Sequence, residues 1–168
     1  MAKKFKKYLF RHYNKNFPKL FRSEKSNLKS ILDMKVRIEY IGITAVKGLG
    51  GKGVIDILVS VTKKELNKTR NRPIKKGCTW KSKTGSKDRL FFEKDYKYRG
   101  IIKRVPLQFT YDAGPDWKNS LLIKELLKND KTLAEEYASI KKRAVKLAKG
   151  KEGVYRKLKF KFLEGLSK

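Results

Sequence analysis

Between residues 17 and 32 the apolar side chains Leu20, Phe21, Leu28, Ile31 and Leu32 return at helical spacing, and Pro18 suits a first turn, where its missing N–H is no loss. Val36, Ile38 and Tyr40 then alternate with Arg37, Glu39 and Ile41, the period-two pattern of a strand. Residues 42–53 hold too many glycines for a regular element, although the front half can open a short helix. Residues 54–61 form a nearly unbroken β-branched run, which reads as a buried central strand. A short connection at 61–66 follows. Residues 90–94 and 105–111 read as two more strands joined by a polar, aromatic loop, with Pro106 expected early in its strand or at an edge. Gly114 and Pro115 mark a turn at 112–116. Two amphipathic helices are expected at 117–127 and 133–147, separated by Asn129 and Asp130. Leu133, Tyr137, Ile140, Ala144 and Leu147 share one face of the second. Lys149-Gly150-Lys151 ends it, and a last short helix falls at 154–163. Helix, strands, then helices is the order of an α+β domain, placed at 8–168 behind a flexible basic tail at 1–7.

Charge adds a partner class to this picture. The 168 residues include 45 Lys and Arg against 16 Asp and Glu, a net charge of +29. Residues 1–22 hold eight bases and no acid, 62–104 sixteen bases and four acids, and 141–168 eleven bases and two. Three basic blocks around a more balanced centre favour polyanions such as nucleotides, nucleic acid or anionic surfaces, a solvated, soluble surface being the alternative. Cys78 is the one cysteine, which excludes an intrachain disulfide. With no long apolar run and no secretory leader pattern, the expected location is cytoplasmic, with no membrane partner.

Candidate chemistry centres on "IGITAVKGLGGKGVIDILV", residues 41–59. Gly48-Leu49-Gly50-Gly51-Lys52-Gly53 fits G-x-G-x-x-G literally, but a dinucleotide fingerprint needs a strand before it and a helix after it, whereas a strand follows here. A P-loop fails because Gly53, rather than Ser or Thr, follows Lys52. A nucleotidyltransferase arrangement fits better: a Gly-Ser turn, then a strand with acids two apart on one sheet face, holding divalent ions against a triphosphate. Gly42 supplies the turn, Thr44 a hydroxyl and Asp56 the first acid. Ile43 occupies the Ser position and Leu58 that of the second acid. A buried carboxylate is costly alone, so Asp56 needs a metal, a cation or backbone donors.

Arg37-Ile38-Glu39-Tyr40-Ile41-Gly42-Ile43-Thr44-Ala45-Val46-Lys47-Gly48-Leu49, then Lys52 and Val54-Ile55-Asp56-Ile57-Leu58-Val59, resembles the GrpB family pattern R-I-E-H-I-G-S-T-A-V-P-G-L, a spacer, and K-P-I-I-D-I-L-V. The likeness continues through Tyr13 to Phe21, Leu121 to Lys128, Glu136-Tyr137-Ala138-Ser139-Ile140-Lys141, and Tyr155, Lys159 and Phe162. The resemblance implies a nucleotidyltransferase-like fold, a small mixed sheet flanked by helices. Occasional fusion of family members to dephospho-coenzyme A kinase implies nucleotide or cofactor metabolism. Tyr40 stands where the family has His, Ile43 where it has Ser and Lys47 where it has Pro. Pro106-Leu107-Gln108 replaces H-L-H, and Ile123-Lys124-Glu125 replaces F-R-D.

Two functions follow. The first is a Mg2+-dependent nucleotidyl or phosphoryl transferase acting on a nucleoside triphosphate. Asp56 is then the catalytic acid and metal ligand, with Glu93, or Asp112, as a further metal acid. Gly42 and Thr44 touch phosphate, and Lys52, Lys124 and Lys141 neutralise charge. The second is a catalytically degenerate binder of nucleotide or RNA working through its basic surface, with Tyr96, Tyr98 and Arg99 as nucleic-acid contacts and Phe91 and Phe92 as ordinary packing.

Overall fold

A computed structural model of the protein describes residues 10–98, 101–149 and 151–166, without the side chains of residues 97, 98, 101 and 152. The tail expected at 1–7 lies outside the described residues. Helix α1 (Phe17–Leu32) starts on Pro18 and stops at Asp33, whose left-handed backbone (φ 46°) returns its N–H to the Lys29 carbonyl. Strand β1 (Arg37–Ile41), a 3-10 turn (Ile43–Ala45) and strand β2 (Asp56–Val61) follow. The connection after β2 folds into two short helices, α2 (Leu66–Thr69) and α3 (Asn71–Lys75), and Arg72 of α3 donates to the Leu32 carbonyl at the end of α1. Strands β3 (Thr79–Trp80), β4 (Leu90–Tyr98) and β5 (Ile101–Tyr111) complete the sheet, and helices α4 (Pro115–Asn129), α5 (Lys131–Ala148) and α6 (Glu152–Leu166) close the chain.

The five strands run in the order β1-β2-β5-β4-β3, with β2 and β5 parallel and the other pairs antiparallel. This is the mixed sheet and α+β architecture expected. Because side chains alternate across a strand, Ile38, Tyr40, Ile57, Val59, Phe92, Leu107 and Phe109 share one face and pack with Phe17, Leu28 and Leu32 of α1. On the other face, Ile41 and Leu58 meet Trp117 of α4. Helices α5 and α6 pack on each other and on the 3-10 turn, through Ile43, Val46, Leu127, Ala134 and Tyr137.

Two expectations change. The polar segment expected as a loop between 94 and 105 is strand: β4 and β5 form one long hairpin, paired from Leu90↔Phe109 to Tyr98↔Ile101. Its charges are cross-strand partners, Arg104 gripping Asp95 through two bonds of 2.7 and 2.8 Å. Pro106 lies within this central strand rather than at its start. It sits one residue before the parallel ladder with β2 opens at Ile57↔Leu107, where no ladder bond to β2 is required of it.

Candidate functional site

The site is the end of the sheet where β1 stops and β2 begins. Ile41 pairs with Asp56, and the turn out of β1 is made by Gly42 with φ 78° and ψ 177°. The Asp56 carboxylate lies against this glycine, since a Cβ on Gly42 would fall 2.7 Å from Asp56 Oδ2. Asp56 is half-buried and forms no ion pair among the described residues.

Cations gather round it from four directions. Lys52 arrives on the glycine-rich loop, with its ammonium 4.8 Å from the Tyr155 ring centre. Lys141 comes from α5, buried to 7% exposure and 5.1 Å from the Tyr137 ring centre. Burial, helped by repulsion from Lys159 and Lys52 and opposed by attraction to Asp56, pushes the Lys141 ammonium down to about 7. Lys159 of α6 is lowered too, first by burial and then by Lys52, Arg89 and Arg156, while Asp56 pulls the other way. Arg89 reaches the cluster from the segment before β4 and is steered by Asp116 at 3.3 Å. Burial, with Tyr155 and Asp56 nearby, holds the Tyr137 phenol firmly protonated. Lys141 and Lys159 therefore face the Asp56 carboxylate, with Lys52 beside both, Arg89 and Arg156 near Lys159, and Asp116 engaged by Arg89. Such an arrangement attracts a multivalent anion.

The expected site residues sort by what each already holds. Gly42, Lys52, Asp56 and Lys141 come together. Thr44 does not present its hydroxyl: it is 2% exposed and donates to the Val54 carbonyl at 2.7 Å, which leaves no proton for a phosphate. Lys124 reaches over β1 but lies 3.3 Å from Glu39 Oε2. Glu93 lies in the same row of the sheet as Asp56, beyond Pro106 and so two strands and ~10 Å away. It is held there by Lys81 at 3.1 Å and Arg104 at 3.4 Å. Asp112 is engaged by Arg37 at 2.8 Å. The Tyr96 ring is partly buried against the core, the Tyr98 side chain is not described, and Arg99 lies outside the described residues.

The substitutions in the family pattern have packing reasons. Ile43 fills the cluster that joins the turn to α4 and α5. Tyr40 stacks on Phe21 at 4.9 Å on the α1 side of the sheet and donates to the Thr44 carbonyl at 2.8 Å, so it props the turn from below. The glycine-rich loop is no phosphate cradle. A Cβ on Gly50 or Gly53 would strike Phe10 or Arg11, and Gly51 pairs with the Arg11 backbone through bonds of 2.6 and 2.8 Å. The glycines admit the N-terminal segment, and Arg11 also donates to the Lys52 carbonyl at 2.9 Å.

Among the described residues no group of three or more His, Cys, Asp or Glu side chains could hold a metal ion. Leu58, at the second-acid position, is fully buried, and the neighbouring strand offers Pro106 and Gln108 on that face. One carboxylate facing Lys141 and Lys159, with no second acid beside it among the described residues, does not fit a resident Mg2+ ion.

The sequence named Lys159 only as part of the family pattern, not as a site residue, and did not single out Arg89 or Arg156. A signal existed: Tyr137 and Lys141 on α5, and Tyr155 and Lys159 on α6, repeat a Tyr-x-x-x-Lys spacing that places each pair on one helix face.

The family model described as GrpB protein matches residues 9–168. The chain belongs to the GrpB family. "Glutamate-rich protein GrpB" of Alkalihalophilus pseudofirmus is 28% identical over 155 residues, spanning 90% of this chain and 89% of the relative. "UPF0157 protein YqkA" of Bacillus subtilis is 30% identical over 133 residues, 77% of this chain but 37% of that longer protein. The crystal structure of GrpB from Enterococcus faecalis superposes with a TM-score of 0.73 at 20% identity, covering 95% of this chain and all of that one. Cid1 poly (U) polymerase, solved as a mutant bound to MgATP, superposes with a TM-score of 0.51 at 12% identity over 76% of this chain and 42% of its own. The chain thus has the nucleotidyltransferase-like fold. No helix among the described residues is long and apolar enough to cross a membrane.

Proposed function

We propose that this GrpB-family protein binds the phosphates of a nucleoside triphosphate, in the cytoplasm, between Lys52 on the loop and Lys141 and Lys159 on the C-terminal helices. One observation carries the reading: Lys141 and Lys159 face the Asp56 end of the sheet with Lys52 beside both, and neither Lys141 nor Lys159 is held in an ion pair among the described residues. The Cid1 structure, described as bound to MgATP, supports a nucleotide as the anion on this fold. Charge neutralisation falls to the protein's own ammonium and guanidinium groups, so Mg2+ enters, if at all, with the nucleotide rather than as a resident cofactor. Of the two functions the sequence allows, the geometry favours nucleotide binding over metal-dependent transfer, because Asp56 stands without a second acid.

Titration calorimetry with ATP in EDTA and in Mg2+, on the native chain and on Asp56→Asn, separates the two. Under the binding reading, ATP binds in EDTA, and Asp56→Asn tightens it by roughly five- to thirtyfold. That range corresponds to removing about 1–2 kcal/mol of repulsion between unit charges ~8–16 Å apart at an effective dielectric near 20. Binding that needs Mg2+ and disappears in Asp56→Asn restores the transferase reading, and a screen for nucleotide transfer to acceptors then follows. RNA binding through the basic surface is the second reading, supported by the net charge of +29.

A further inference from the structure

Trp80 (37% exposed) and Phe160 (54%) are the exposed Phe, Tyr and Trp side chains of the described residues. Trp80 lies on β3, the outermost strand at its end of the sheet, and the Arg70 guanidinium carbon sits 4.5 Å from its ring centre. Between the two the chain runs through α3 and turns at Gly77 (φ 82°), where Cys78 donates to the Pro73 carbonyl at 3.0 Å. A second turn follows Trp80, closed by Thr84 donating to the Lys81 carbonyl at 2.9 Å. Lys75 and Lys76 ride on the first turn and Lys83 on the second, all exposed. Lys76 and Lys81 bracket the ring within at most ~18 Å of chain, a span that a few nucleotides bridge. Residues 66–87 hold eight Lys and Arg and no Asp or Glu. Glu93, opposite Thr79 on β4, is taken by Lys81 and Arg104. Lys68, Arg70, Lys75, Lys76 and Lys83 have no carboxylate in ion-pair range among the described residues. Lysines alone make a solvated face; an indole held open among them makes a stacking surface.

We propose that this edge, β3 with α3 and the two turns, binds single-stranded RNA, with a base stacked on the Trp80 indole and the adjoining phosphates on Arg70, Lys75 and Lys76. The proposal rests on the second functional reading, RNA binding through the basic surface, and gives it a place. Every base has a π-face, so a stacking ring takes single strands with little regard to sequence while the cations follow the backbone. A duplex fits less well. Its bases are stacked on each other, and α2 and α3, of four and five residues, are too short to lie along a groove. An anionic membrane also fits less well, since Ile74 and Trp80 do not make the continuous apolar face of an interfacial helix. Phe160 is the contrast: it stands on α6 with no cation over its ring among the described residues. Strand β3 lies three strands from β2, ~14 Å across the sheet, so this edge is distinct from the Asp56 end.

The test is titration of the full chain with oligouridine of about 12 nucleotides, a length within the span of one small binding module. Binding is read by anisotropy of a fluorescein-labelled strand and, with the unlabelled strand, by tryptophan emission. Trp117, 3% exposed, is the other tryptophan and serves as the internal reference. RNA is expected to quench the native emission and to leave that of Trp80→Phe, which comes from Trp117 alone, unchanged. Trp80→Ala is expected to weaken binding at least about fivefold with the salt dependence unaltered, since stacking releases no counterions. Trp80→Phe keeps a ring and is expected to stay within about threefold of the native affinity. Lys75→Gln/Lys76→Gln is expected to flatten the slope of log K on log salt by about 1.4, the share of two phosphate contacts. Phe160→Ala is expected to bind as the native chain does. Native affinity in Trp80→Ala, or a loss in Phe160→Ala instead, overturns this site while RNA binding elsewhere on the basic surface stands. If the oligonucleotide does not bind at about 0.1 M salt, the basic-surface reading fails with it. Phosphatidylserine vesicles that shift the Trp80 emission to the blue, with no quenching by oligouridine, would make the edge a membrane contact and overturn the inference.

Discussion

Replacing Gly42 by alanine tests the geometry on which the site depends. At φ 78° and ψ 177° the residue occupies a backbone region reserved essentially for glycine, and an L side chain there costs about 1–3 kcal/mol. A second penalty is local. The added Cβ would stand 2.7 Å from Asp56 Oδ2 and 3.3 Å from its Cβ and Cγ. Neither backbone can retreat freely, because Ile41 is paired with Asp56 and the Gly42 carbonyl accepts from Ala45 at 3.1 Å. The carboxylate must swing away, and the combined loss is about 2–4 kcal/mol, a large share of an ordinary domain's stability. Urea unfolding of the native chain, Gly42→Ala, Asp56→Ala and the double variant measures it. The backbone strain survives the removal of Asp56 but the clash does not, so the double-mutant cycle is expected to return a coupling of about 1 kcal/mol or more, the double variant being less damaged than the sum of the singles. Strict additivity would show that the carboxylate does not rest against the turn. A neutral Gly42→Ala would refute the turn conformation itself.

Three further outcomes follow from contacts away from that turn. Lys94→Met leaves the Glu24 carboxylate stranded in the interior and is expected to lose about 3–5 kcal/mol, most of it recovered in the Glu24→Leu/Lys94→Met double variant; chemical denaturation checks both. Lys141 makes stability rise with alkalinity. Its folded value of about 7 lies below the ordinary 10.5, so between those limits the unfolded chain holds a proton that the folded chain lacks. The contribution is a slope of up to ~1.4 kcal/mol per pH unit, expected to vanish in Lys141→Met when unfolding free energies are compared across that window. Thr44→Val strips the Val54 carbonyl of its partner at a loss of about 1–3 kcal/mol while leaving tripolyphosphate affinity within a factor of two; a tenfold loss of affinity on calorimetry would return the hydroxyl to the binding site.

What the sequence revealed of this fold follows the range of each interaction. Helix α1 and strands β1 and β2 announce themselves because one buried face imposes a period on the chain, and residues 17–32 match their helix to the residue. The long hairpin was hidden. Residues 93–104 carry Glu93, Lys94, Asp95 and Arg104, which look like a loop until Arg104 is seen to grip Asp95 and Glu93 across the strands. The same gap between residue type and partner governs the site. Thr44, Lys124 and Glu93 are the right kinds of residue, yet Val54, Glu39 and the pair Lys81 and Arg104 already occupy them. Lys52, Asp56 and Lys141 were legible from their local setting. Lys159, flagged only by the Tyr-x-x-x-Lys spacing it shares with α5, and Arg89 and Arg156, flagged by nothing local, join them because α6 and the approach to β4 close on the start of β2. The glycines at 50, 51 and 53 drew the eye as a phosphate loop, but the close neighbours that require them are Phe10, Arg11 and Ile43.

The net charge of +29 and the pocket cations are separable causes of anion binding, and salt tells them apart. Surface lysines act through water and are screened within about 8 Å at physiological ionic strength, so a polyanion spread over them releases many counterions. A single-stranded RNA neutralised by six to ten such lysines is expected to show a slope of log K on log salt of about −4 to −7. Lys141 and Lys159 are desolvated and held by helices that pack on each other through Ala144, Ala148 and Tyr155, so their attraction for a triphosphate is less screened and involves fewer displaced ions. A slope no steeper than about −3 for ATP, together with sensitivity to Asp56→Asn, assigns the affinity to the pocket. A slope as steep as that of RNA, indifferent to Asp56, assigns it to the surface and leaves the converging lysines without a ligand.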